Sequence, residues 1–251
     1  NTIRTLSSGA NYEFRGAVTG TFTTTPTANT VNNLTVNNGS GLTLSQAFTV
    51  AGTLTFTSGA LTLNGTTLGI NGSISGTSNF VGSSTSSISV GGTGSIGSNI
   101  SMSQSSSSTR TLQNFTLNRA SQSITLGAAM EIVGTVTVTA GTLASAGNLT
   151  LISTASGDAR VAQSAGSITG NVTVQKYLPA GSSRRWLHMG SPISTFTWNQ
   201  LIDDILISGP GAGGFDVNGS GFPSAFYYTE SVAGDCGPNG WNFPANVSNS
   251  V

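Results

Sequence analysis

Only three carboxylates, Glu13, Glu131 and Asp158, fall in the first 171 residues of this 251-residue chain, and the whole of it holds one histidine, His188. Polysaccharide-lyase or glycosidase chemistry needs carboxylates gathered on one face, to hold Ca²⁺ or to act as an acid and base pair. These three are scattered. Only Glu131, between Met130 and Ile132, sits inside an apolar alternation, where it reads as a solvent-facing strand charge. Any Ser-His-Asp or histidine–metal arrangement must pass through His188. Asp203 and Asp204 follow it, but no GxSxG elbow surrounds the serines, and Leu187 and Met189 on either side predict a strand residue. One histidine and one cysteine cannot fill a zinc site of three or four protein ligands. Cys236, in Gly234-Asp235-Cys236-Gly237-Pro238, reads as a turn residue, and alone it forms no internal disulfide.

Gly92-Thr93-Gly94-Ser95-Ile96-Gly97 matches GxGxxG. A dinucleotide site also needs a helix opening there and an acid about 20 residues on. Ser98-Asn99-Ile100-Ser101-Met102 and a serine run follow instead, so a glycine-rich corner is expected. No catalytic residue, cofactor-binding residue or metal ligand is assigned, and no cofactor is expected. The candidates for contact with a glycan or partner are Arg184, Arg185, Trp186, Trp198 and Trp241. The guanidiniums suit anionic sugars and the indoles suit stacking. Arg184-Arg185-Trp186 also reads as a strand edge whose tryptophan fills a core.

What positions these residues is written in the composition. Charged residues make up 6% of the chain, and eight basic and eight acidic side chains cancel. Ser, Thr, Asn and Gly take the places of Lys and Glu, which favours strands and frequent turns over helices. A neutral chain lacks the phosphate-neutralising patch of a nucleic-acid binder. No apolar run is long enough for a membrane span. The chain opens on Asn1-Thr2-Ile3-Arg4 rather than on a Met and a basic region, and so reads as a processed or excised segment.

The sequence also repeats. Thr30-Val31-Asn32-Asn33-Leu34-Thr35-Val36-Asn37 matches Thr111-Leu112-Gln113-Asn114-Phe115-Thr116-Leu117-Asn118 at an offset of 81. At an offset of 82, Leu42 and Leu44 fall on Ile124 and Leu126, Phe48 and Val50 on Met130 and Ile132. Gly52 then falls on Gly134, Leu54 and Phe56 on Val136 and Val138, and Gly59 on Gly141. Within the module, apolar pairs in i, i+2 alternation recur as Leu34/Val36, Leu42/Leu44, Phe48/Val50, Leu54/Phe56, Leu61/Leu63 and Leu68/Ile70. Every third pair lies about 20 residues on. Three short strands per coil and about 20 residues per coil predict a parallel β-helix, an all-β solenoid in which each coil supplies the core of its neighbours. A β-sandwich shows similar strands but predicts neither the alignment of every third strand nor the duplication. The solenoid is expected over 1–171, duplicated as 30–110 and 111–171, and residues 30–171 would give about seven coils and a length of roughly 34 Å.

Near residue 172 the rhythm stops. Trp186, Trp198, Phe196, Phe222, Phe226, Tyr227, Tyr228 and Trp241 predict a separate core over 172–251, in a smaller β-sandwich-like unit. Trp198 to Ile207 is compatible with a short helix or a strand.

Val172-Thr173-Val174-Gln175-Lys176-Tyr177-Leu178-Pro179-Ala180, then Arg184-Arg185-Trp186 and Gly190-Ser191-Pro192, resembles a motif of large secreted β-helical, adhesin-like proteins of Bacteroidetes-type bacteria. Phe215-Asp216, Pro223-Ser224 and Gly240-Trp241 fit the same pattern. The resemblance implies export by the type IX secretion system and display at the bacterial cell surface or outside the cell, and it brings no catalytic residues.

The resulting expectation is a non-enzymatic structural or adhesin-like surface protein: a rigid β-helical stalk or filament component, with end-to-end self-association or a glycan or cell-surface ligand as partner. The alternative is a polysaccharide-binding or polysaccharide-degrading β-helix protein with its sugar contacts in the C-terminal aromatic unit.

Overall fold

A computed structural model of the chain describes residues 9–16, 20–22, 29–179, 197–202, 205–209, 213–218, 223–229 and 240–248. Residues 1–180 and 181–251 form two compact units.

The first unit is a β-solenoid of about eight turns. On its first face Asn11–Gly16, Asn33–Asn38, Thr53–Ser58 and Ser73–Ser75 stack in parallel. The second face stacks Gly20–Phe22, Leu42–Leu44, Leu61–Thr62 and Phe80–Val81. The third starts with Thr30–Val31, Phe48–Val50, Thr67–Ile70 and Ser83–Val90. From there Thr111–Thr125 and Met130–Ala144 run side by side around the corners and carry the pairing onward. Leu149–Leu151 and then Val172–Val174 add to Met130–Ile132, so the composition break near residue 172 falls on a parallel rung.

Alternation explains why these segments are strands. Leu34, Leu54 and Ile74 are register partners, as are Phe48, Leu68 and Ile88. All of the apolar pairs read from the sequence are buried in one continuous cluster from Val31 to Leu151. The intervening outward positions are mostly Thr, Ser and Asn, half-exposed. A single coil could not shield both sides of its inward residues; stacked coils cover one another, so burial and the backbone ladder are gained together.

The duplication has an unexpected geometry. Leu34 belongs to the column Tyr12–Leu34–Leu54–Ile74 on the first face. Its counterpart Phe115 belongs to the third-face column Leu68–Ile88–Phe115–Val136–Val161. The second copy is therefore turned by one face relative to the first, while neighbours one coil apart are preserved: Phe115 meets Val136 as Leu34 meets Leu54. The three faces obey the same inward–outward rule, so the module can begin on any of them.

Two coils lengthen by excursions that leave the stack intact. Between Ile88 and Phe115, the segment 103–110 leaves the wall and ends in the one-turn helix Ser107–Arg110, capped by the Ser106 hydroxyl, which accepts from the Thr109 amide. Between Val136 and Val161, Ser153–Thr154 and Gly157–Asp158 form an antiparallel hairpin.

Coil-to-coil corners use a repeated device. The Asn33 side-chain oxygen accepts from the Thr53 backbone amide one turn on (2.6 Å), and Asn114 does the same for Thr135 (3.0 Å). The preceding residues are Gly52 and Gly134. A Cβ there would stand 2.4 Å from Asn33 Oδ1 or from the Gln113 carbonyl oxygen, respectively. The shared Asn and Gly of the two modules are thus a clasp between turns.

The second unit has its own small core of Trp198, Ile207, Phe215 and Val247. Trp198–Gln200 is a 3₁₀ turn, so of the short helix or strand compatible with 198–207 the described residues show one helical turn. Ser208–Gly209 pairs in parallel with Val217–Asn218, and Tyr227–Tyr228 pairs antiparallel with Trp241–Asn242. The expected sandwich-like unit is β-structured to this extent among the described residues.

Candidate functional site

The described carboxylates lie on separate parts of the fold, each with partners. Glu13 pairs with Arg15 at 2.7 Å and accepts from Asn37. Asp158 pairs with Lys176 and accepts from the Ser153 hydroxyl. Asp216 accepts from the Ile207 amide at 2.9 Å. Among the described residues no group of three His, Cys, Asp or Glu side chains comes together.

Glu131 departs from the sequence expectation. It points away from the apolar core, yet its side chain is only 13% exposed, because the 103–110 excursion folds over it. Arg110 Nε donates to Oε1 at 2.6 Å, the Ser107 hydroxyl to Oε2 at 2.6 Å, and the Thr111 hydroxyl to Oε2 at 3.3 Å. Burial alone would push this carboxyl up, but the hydrogen bonds from Ser107, Arg110 and Thr111 and the charge of Arg110 together hold it below the usual carboxylate range. The group is a latch fixing the excursion to the wall.

A carboxyl with a depressed folded pKa stabilises the fold above its unfolded value, and that stabilisation is lost as pH falls through the folded value. Wild type is therefore expected to exceed Glu131→Gln by about 1–2 kcal/mol at pH 7. The advantage should shrink below the ordinary carboxyl value of 4.5. Paired thermal melts from pH 7 to about 3 check this through the difference between the two proteins, which removes the other carboxylates. A pH-independent difference contradicts the latch.

The GxGxxG match is a corner, as expected. Gly92, Gly94 and Gly97 all have positive φ, no helix opens on them, and Ile96 enters the core. A residue that belongs to no motif closes this corner. Arg119 is fully buried, and its Nη2 donates to the carbonyl oxygens of Asn71 (3.1 Å), Gly72 (2.7 Å) and Thr93 (3.0 Å). Its Nε and Nη1 are buried and have no hydrogen-bond partner among the described residues. Burial depresses the guanidinium pKa. The signal that could have found it is alternation: Phe115, Leu117 and Arg119 occupy successive inward positions, and the third inward residue is a cation.

Of the contact candidates, Trp198 is only 7% exposed and belongs to the second unit's core, so its ring is covered rather than offered to a sugar. Trp241 is 45% exposed, with Tyr228 against it edge-on at a centroid distance of 5.2 Å. Arg184, Arg185, Trp186, His188, Asp203, Asp204 and Cys236 lie outside the described residues. No helix among the described residues is long and apolar enough to cross a membrane. The solenoid wall carries two open depressions, one over Gly69 beside Thr49 and Thr67, the other beside Ser58, Gly59 and Asn79. Hydroxyls and amides dominate both rims, with no titratable group.

Comparison with protein-family models, with curated proteins and with solved structures yields no match.

Proposed function

We propose that the chain is a non-catalytic, surface-displayed structural segment: a stiff β-solenoid spacer of an adhesin-like extracellular bacterial protein. The observation that carries this reading is the continuous stack of turns around one apolar column, with a nearly charge-free wall of Thr, Ser and Asn. Rigidity follows from the stacking, since bending the rod opens ladder hydrogen bonds and apolar contacts together. Water solubility follows from hydroxyl and amide groups that need no charge. The paired state of Glu13, Glu131 and Asp158 supports a structural role for the few charges the solenoid has. The resemblance of the segment from Val172 to Trp241 to type IX secretion substrates supports export.

Antibodies raised against the 251-residue chain test display on cells that produce it. Labelling of intact cells at the level of permeabilised ones is expected; labelling only after permeabilisation overturns surface display. Release of reducing ends from a mixed polysaccharide panel by the purified chain overturns the non-catalytic part.

A further inference from the structure

The second unit's exposed surface holds a feature that the stalk reading does not use. Tyr228, Trp241 and Phe243 are 36%, 45% and 47% exposed, and Tyr227 is exposed beside them. They lie on or next to one antiparallel strand pair, in which Tyr228 faces Trp241 and Tyr227 faces Asn242. The unit's core is elsewhere, around Trp198, Ile207, Phe215 and Val247, so these rings are not its packing.

Their geometry is set before any ligand arrives. The Tyr228 and Trp241 rings meet at 62°. Tyr228 lies against the Gly240 backbone so closely that a Cβ on Gly240 would stand 2.3 Å from its ring. Asn242 Nδ2 donates to Thr229 Oγ1 (3.2 Å) and to the Gly240 carbonyl (3.3 Å). Those bonds brace the strand pair from the face opposite Tyr228 and Trp241, since Asn242 stands across from Tyr227. Neither 223–229 nor 240–248 contains a charged residue.

We propose that Tyr228 and Trp241 form a binding platform for a neutral saccharide. A pyranose has one face of C–H groups and a rim of hydroxyls. The C–H face suits the electron-rich face of an aromatic ring, and the hydroxyls suit the Tyr228 phenol. The lack of any Lys or Arg in the sequence 223–248 selects against anionic polymers, which need cations to offset their own desolvation. Rings already set against each other lower the ordering cost of binding. The platform stands apart from the stalk reading: failure of surface display leaves it intact, and its own failure leaves the rod intact.

The test is affinity electrophoresis of the whole chain in native gels containing soluble β-glucan, xylan, mannan or starch, with polygalacturonate as the anionic comparison and phosphatidylcholine vesicle flotation alongside. Retardation by at least one neutral polysaccharide is expected. Trp241→Ala should weaken it roughly tenfold or more, and Trp241→Tyr should weaken it less. Both variants should migrate and melt as wild type in the absence of polysaccharide, since the ring they alter lies outside the unit's core. Lack of retardation by all four neutral polymers overturns the proposal, as does retardation that survives Trp241→Ala. Equal retardation by polygalacturonate, or attachment to vesicles alone, overturns it as well.

Discussion

Gly59→Ala is expected to lower the stability of the solenoid by about 4 kcal/mol or more, at the far end of single-substitution effects. Two costs coincide at this corner. The backbone has φ of 81°, where any residue with a Cβ is strained by about 1–2 kcal/mol. The Cβ itself would lie 1.8 Å from the Asn38 carbonyl oxygen of the preceding turn, a backbone atom that no rotamer change can move. Relief requires the two turns to separate, which stretches the ladder joining Asn33–Asn38 to Thr53–Ser58. Gly147→Ala isolates the first cost: φ there is 78° and nothing lies within 4 Å of the added carbon. A loss of about 1–2 kcal/mol is expected for it. Gly141, the duplicate of Gly59, has φ of 89° and would place its Cβ 2.3 Å from the Arg119 carbonyl oxygen, so Gly141→Ala should resemble Gly59→Ala. Urea midpoints of the three variants check the ranking. Equal losses at Gly59 and Gly147 would mean that close approach between turns contributes nothing.

The same pair of glycines shows why so much of the solenoid is legible in the sequence. A β-helix repeats one constraint at every turn, so inward residues and corner glycines return at the spacing of the coil, and the clasping asparagines Asn33 and Asn114 at the spacing of the module. Leu34, Leu54 and Ile74 align on spacing alone, and Gly59 falls on Gly141 in the same way. The rotation of the second module by one face is not legible, because Leu34 on the first face and Phe115 on the third obey identical chemistry. The covering of Glu131 is not legible either: alternation places its side chain outside the core, and only the path of 103–110 decides whether outside means water. In the second unit no period links the tryptophans, so Trp198 and Trp241 look alike as stacking candidates. Packing separates them, Trp198 into a core with Phe215 and Trp241 onto a strand pair beside Tyr228.

Arg119 breaks the alternation rule at an inward position, and its removal is expected to cost about 3–4 kcal/mol as Arg119→Ala. One nitrogen, Nη2, serves three carbonyl oxygens drawn from two earlier turns, so the side chain ties the Asn71–Gly72 and Thr93 corners to its own coil. The alanine variant leaves a void, and up to three carbonyls in a site where each unsatisfied polar group costs about 1–3 kcal/mol. Arg119→Met separates the two contributions: it restores much of the volume and none of the hydrogen bonds. If the carbonyls matter, methionine should recover less than half of the loss, and the Gly92–Gly97 corner should become the first site of proteolytic nicking. The opposite outcome has a physical basis too. A buried cation pays heavily for leaving water, and among the described residues its compensation comes from carbonyl dipoles rather than from a carboxylate. A methionine variant as stable as wild type would therefore assign Arg119 a space-filling role, and the corner would be held by its glycines alone. Urea midpoints of the two variants, read with limited proteolysis at residues 92–97, distinguish these cases, because only loss of the tie loosens that corner while the neighbouring coils stay protected.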